Sequence, residues 1–573
     1  MDVELITTKM IRHPFFFVLS FFLLFAGTGA TSQTIATQTT SDEREDVIWT
    51  GDISEGWDDP LNWNTSTVPG QNSNVTIPES PSGGSFPVIY SSAQAECRDL
   101  IIASGSSLRI RGFLTVYGQL VNTDETALTI LSDEAGTGSL IFSSENVMAT
   151  VQRYLSDGVN HFIGAPVGGA TANDLFFNDD PTVYLYRYNE SSGDWTTIAD
   201  LNAPLIPGLG YSVYVSAADG KQNVTAIFSG VIESANTQLS GSLLTYTDES
   251  PYPGYNLISN PFTSALSWDL GNWQADKVSG CIWLWNGSYS YLFRNAHGMG
   301  SLSGGIIPSA QAFMVKATDD NPSLTLSADD RVHSSQNFYK PAGRDDEQYL
   351  VMSVQHQEKT DEVWVSFCTD CTDGYDTGWD TEKLFGIREA PQVYLVENDS
   401  KFSIDAGPPL EDSETKTFQL NFEAGLPGQH EFILTEVETG EKEGFFVVLK
   451  DLLEGTEQLM HLDEAYVFDA DTTDDPERFQ LEVSKESTGI NDVAITEDYL
   501  IYSFDRNIVI KPLHPSSGSI LMIQIIDLFG RNLEYLEIQE EDRIMLPVRA
   551  HNTYVIVRLV TGNTVITKKL FIH

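Results

Sequence analysis

Three groups of residues in this sequence have types and spacings that suit chemistry. The first is the run Asp370-Cys371-Thr372-Asp373-Gly374-Tyr375-Asp376, continued by Asp380. Several carboxylates in a glycine-containing loop are what calcium requires, because that hard cation takes six or more oxygen ligands. Asp373, Asp376 and Asp380 form the candidate set. Their spacing is not that of an EF-hand, and a solvated acidic loop is the competing reading. The second group is Cys368-Thr369-Asp370-Cys371. In an oxidising compartment this pair closes a small disulfide loop, whereas zinc would need about four ligands and no second close pair supplies them. Cys97 and Cys281 are expected as single buried thiols. The third group is Trp283, Trp285, Tyr289 and Tyr291, whose alternation on a strand pair puts aromatic faces on one side, suited to stacking on sugar rings. Alternating aromatics equally mark the buried face of a sheet, so both readings stand. Catalytic signatures do not emerge. The ten histidines are scattered, and no H-E-x-x-H, G-x-S-x-G or G-x-x-x-x-G-K-[ST] pattern occurs. The reading is a non-catalytic protein with no cofactor other than calcium in that acidic loop.

These groups need elements to position them, and the bulk composition bounds what those are. With 573 residues the chain exceeds a single core. It carries 81 acidic against 32 basic residues, a net charge of −49, which opposes contact with nucleic acid or anionic membranes. Its 41% hydrophobic content still supplies packed cores. Lys9 and Arg12, an apolar run from Phe15 to Ala26 and small residues ending at Ser32 follow the order of a secretory signal peptide, predicted over 1–32. That run is too short for a bilayer span, and no later stretch is apolar enough for one.

Residues 33–46 read as a polar lead-in. From 47 to 146, triplets such as Leu108-Arg109-Ile110, Leu128-Thr129-Ile130 and Leu140-Ile141-Phe142 recur between Gly and Ser, predicting a β-solenoid-like region of stacked short strands. The next stretch contains an internal echo. His161 to Pro166 matches Asn256 to Pro261, Val183 to Tyr186 matches Ile282 to Trp285, and Leu205 to Val215 matches Ile306 to Val315. Two related β modules are therefore expected, 147–240 and 241–333. A polar linker, 334–346, precedes a β-sandwich over 347–487. The fold class is multidomain all-β.

The segment 488–573 has its own pattern. A strand leads into Asp527-x-x-Gly530-Arg531, a late strand holds Tyr554, and Lys568-Lys569 precede an apolar end. These residues resemble the C-terminal sorting domain of type IX secretion system cargo proteins, although Lys511-Pro512 and Asn552-Thr553 depart from the usual pattern. The resemblance implies an Ig-like β-sandwich and the type IX secretion machinery as partner. It further implies passage through the periplasm and across the outer membrane, ending on the cell surface or in the medium. Asp527, Gly530, Arg531, Tyr554, Lys568 and Lys569 would carry the sorting signal. The functional expectation is a surface adhesion or scaffold protein whose partners are surface glycans or other surface proteins. A polysaccharide-binding or polysaccharide-active protein, using Trp283 and Trp285, is the alternative.

Overall fold

The computed structural model describes residues 45–175, 183–216, 224–334, 348–411, 414–438, 445–485 and, with short breaks, 494–572. The expected signal peptide, nearly all of the lead-in and linker, and Gly530 lie outside the described residues. Strands dominate, and among the described residues no helix reaches seven residues. No described helix is long and apolar enough to cross a membrane.

Parallel pairing organises the N-terminal region. Val47, Val75, Leu100 and Leu120 sit in register on successive strands of one sheet, all 3% exposed or less. A second side stacks Leu108 on Leu128 and Ile110 on Ile130, which in turn registers with Val151. A third places Leu114 between Ala95 and Leu140. Each turn of chain thus contributes one short strand to each side, and the inward residues form continuous apolar columns. A three-residue strand cannot bury a face alone, but a column can. Trp49, Trp57 and Trp63 pack edge to face against one another, with ring centroids 4.9 and 4.7 Å apart, at the start of this stack.

Two four-stranded antiparallel sheets follow. In the first the order is Asn160–Ile163, Tyr211–Val215, Val183–Asn189, Asp194–Thr197; in the second it is Tyr255–Ser259, Ala312–Ala317, Val278–Trp285, Tyr291–Arg294. In both, the strand that comes last along the chain sits second. The sheets meet in a reciprocal way, because Ile163 bridges Gln311 while Ile258 bridges Leu209. The Gly164 amide donates to the Ala310 carbonyl at 2.8 Å and the Ser259 amide to Gly208 at 2.9 Å. Glycine is required here, since a Cβ at Gly164 would overlap the Ser259 side chain. Glu190, 4% exposed, locks the approach to the second sheet by accepting from the amides of Thr247 and Gly254.

The strands between Gln348 and Ser484 are hydrogen-bonded into one continuous 11-stranded sheet, nearly closed like a barrel, rather than parted into two faces. It wraps one core that includes Leu350, Val365, Phe432, Phe479 and Leu481. Two buried ion pairs brace it: Arg478 donates to Asp451 at 2.9 and 2.6 Å, and Lys383 pairs with Asp361. The C-terminal strands form two four-stranded antiparallel sheets enclosing Ile501, Ile510, Ile525, Val557 and Leu559, a separate sandwich core.

Candidate functional site

The aromatic strands come together where the two four-stranded sheets meet. In the second sheet Trp285 pairs with Tyr291, and in the first Tyr188 pairs with Trp195. The ring centroids are 5.2 Å apart in the former pair and 5.4 Å in the latter. Phe162 links the two, with its ring 5.4 Å from Trp195 and 6.2 Å from both Trp285 and Tyr291. Burial pushes the Tyr188 phenol up to about 12 and raises that of Tyr291 further, so both remain neutral hydrogen-bond donors. Trp195 keeps 36% of its surface exposed and forms the lip. Among the described residues the buried Nε1–H of Trp285 has no acceptor. Such a cluster offers stacking faces and donors. Trp283 does not share in it: the residue is 1% exposed and its Nε1 donates to the Glu382 carbonyl at 3.0 Å, so it is core. Phe162, Tyr188 and Trp195 had no motif to announce them.

The acidic loop makes contacts on both sides. Cys368 and Cys371 are joined in a disulfide with Cα atoms 5.3 Å apart, while Cys97 and Cys281 are free and buried. Asp373 pairs with Lys416 at 3.1 Å and is otherwise in solvent. Asp376 turns back to accept from the Thr372 amide at 2.6 Å. Asp380 points inward and accepts from the amides of Asp376 at 2.6 Å and Ala406 at 2.7 Å. The three carboxylates of the expected calcium set therefore face different partners. Among the described residues, no three His, Cys, Asp or Glu side chains converge on a metal-sized point. Desolvation pushes the buried Asp380 carboxyl up to about 7, against the lowering effect of the two backbone amides. The loop also grips the second four-stranded sheet. The Asn295 side-chain amide donates to the Trp379 carbonyl at 2.8 Å, the Cys281 thiol to that of Asp380 at 3.2 Å, and His297 stacks on Trp379 at 3.4 Å.

In the C-terminal sandwich Asp527 accepts from Arg531 through Nε at 2.6 Å and from its amide at 2.8 Å. Lys569 lies over the Tyr554 ring at 4.0 Å on the outer face. Lys568, its neighbour, is 5% exposed and points inward with Ile566 and Leu570. Asp527 with Arg531, and Tyr554 with Lys569, are thus local pairs within the sandwich.

Comparison with known proteins places these features. The chain is 25% identical over 506 residues to the minor fimbrium subunit Mfa5 of Porphyromonas gingivalis, a match covering 76% of this chain. It spans 39% of that relative's length. Among solved structures, dimeric latent PorU from the same organism matches over 60% of this chain and 35% of its own, with 11% identity and a TM-score of 0.12. A family model described as "Domain of unknown function (DUF8693)" matches residues 48–483, the solenoid, both aromatic sheets and the 11-stranded sheet together. Since that match spans most of the sequence, the chain belongs to the DUF8693 family.

Proposed function

We propose that this chain is a non-catalytic component of the outer cell surface, an adhesion or scaffold subunit of a fimbria-like assembly. In this reading a type IX secretion system delivers it, and the sandwich over 488–573 is its address. The observation that carries the reading is the similarity to a minor fimbrium subunit across 506 residues. The architecture agrees with it, because rigid β units in series suit reach and mechanical connection better than a closing active site. Two modules, 147–240 and 241–333, arose as copies of one unit, which the shared strand order and reciprocal bridges support. Partners are other surface proteins and the secretion machinery, and the net charge of −49 argues against nucleic acid. The test is to shear appendages from intact cells and probe with antibody. The chain should sediment with the sheared filaments, and recovery only in the cytosol would refute the reading.

A second reading, glycan binding, is favoured by the aromatic cluster with its lip at Trp195 and the orphaned indole N–H of Trp285. A glycan array paired with hydrolase assays on the mature protein examines it. Binding abolished by Trp285→Ala with an unchanged melting temperature would rank it first.

A further inference from the structure

Where the last solenoid strands meet the short paired strands Ala265–Ser267 and Ile306–Ile307 lies a cavity of about 370 Å³, a size suited to a small molecule. Its floor holds an arginine in an unusual place. The strand Met148–Leu155 alternates, with Ala149, Val151 and Leu155 buried on its inner face, and Arg153 occupies the same parity. Its Cα partner is Ala226, itself fully buried and too small to offer a polar group. The guanidinium reaches only the Thr137 hydroxyl at 3.3 Å and the Gln311 side-chain oxygen at 3.5 Å, both long for a charged donor. It forms no ion pair among the described residues, although acidic side chains outnumber basic ones more than twofold in this chain. Desolvation lowers its affinity for its proton, with no neighbouring carboxylate to offset it.

An inward guanidinium without a counter-charge is costly, and the cost is recovered when an anion enters. The other charges of the cavity limit what that anion can be. Arg111 is already matched by Asp133, and Glu134 adds a further negative charge at the wall. His333, just behind the wall, is held by the hydroxyls of Thr115 and Ser139, and burial pushes it down to about 4, so it is neutral. One inward positive charge, with the exposed Glu134 carboxylate at the rim, favours a ligand with a single carboxylate over a phosphate or polyanion. A guanidinium fork also matches a carboxylate in bidentate fashion. The rest of the lining mixes the hydroxyls of Ser132, Thr137 and Ser309 with the apolar faces of Phe113 and Pro308, which suits a ring bearing hydroxyl groups.

We infer that this cavity is a binding site for a monocarboxylate on a hydroxylated ring, the chemistry of an acidic sugar residue, with Arg153 as its anchor. The site is distinct from the aromatic cluster and stands whether or not the chain is part of a fimbria.

Calorimetric titration of the full mature chain with glucuronic acid, N-acetylneuraminic acid, glucose and glucose 6-phosphate tests it. At least one of the two carboxylate sugars should bind saturably, with glucose silent and glucose 6-phosphate weaker. Arg153→Met should weaken carboxylate binding by a factor of about ten or more, as expected for loss of a charge-assisted bidentate contact. Arg153→Lys keeps the charge without the fork, and should fall between the two; it decides the matter if the methionine variant does not fold. No binding of either carboxylate sugar to the wild type would overturn the inference. So would glucose or glucose 6-phosphate binding as tightly, or full affinity in Arg153→Lys and Arg153→Met alike.

Discussion

Asp380 is the most informative single position to perturb, because its buried carboxyl joins the loop at the Asp376 amide to Ala406 in the 11-stranded sheet. Its folded-state pKa of about 7 lies above the roughly 3.9 of an unfolded aspartate. The folded state therefore holds this proton more tightly than the unfolded state does. The associated stability is fully present below about pH 4 and is lost as pH rises through about 7. Each pH unit within that window is worth up to about 1.4 kcal/mol, so the loss between pH 5 and pH 8 is roughly 2.5 kcal/mol. Asp405 and Glu362, both raised to about 6 by desolvation, slope the same way and must be subtracted. Asp380→Asn provides the subtraction. The amide satisfies one of the two backbone donors and opposes the other, a pH-independent cost of about 1–3 kcal/mol. Denaturant unfolding of wild type and variant at pH 5 and pH 8 gives the double difference. A variant whose stability falls with pH as steeply as the wild type would refute the assignment of this burial cost to Asp380.

The thiols should sort cleanly by burial. Cys97 and Cys281, both pushed up to about 12 by desolvation, should resist alkylation in the native protein. Denaturation without reductant should then expose two reactive thiols and reduction four, as read by intact mass; four without reductant would exclude the Cys368–Cys371 bond. Gly164→Ala should destabilise by about 1–3 kcal/mol through overlap with Ser259. Adding Ser259→Gly should recover most of that loss in the same melting experiment, and full additivity of the two losses would show that the close approach is not where the cost arises.

Much of the fold was legible because parallel rungs impose a pattern that survives in one dimension. Leu108, Ile110, Leu128 and Ile130 recur because each must fill the next level of the same column. The two aromatic sheets share one strand order, with the strand last along the chain in second place in each. The aromatic site was only half legible, and the reason is coverage. The strand Val278–Trp285 is buried over almost its whole length, with Ile282 and Leu284 in one core and Cys281 and Trp283 in another that includes Tyr349 and Ile404. With both faces covered, alternation no longer distinguishes a binding face from a packed one. The partners of the acidic loop were not legible for a different reason. Asp380 is satisfied by backbone amides from Asp376 and Ala406, and amide donors leave no mark on the sequence. Arg153 did leave one: an arginine at the position where Ala149, Val151 and Leu155 set an inward parity. The closure of eleven strands into one sheet was not readable, since strand spacing does not record which edges meet.

Delivery to the surface through the C-terminal sandwich is the claim on which the account turns, and deleting residues 488–573 examines it directly. The sandwich has its own core, and the family match ends at residue 483, so the remaining units should stay folded. Surface protease accessibility and cell fractionation of the truncated chain, expressed beside the full-length one, give the answer. The account predicts folded truncated protein confined to the periplasm with none on the surface. Truncated protein at the surface at the full-length level would contradict it.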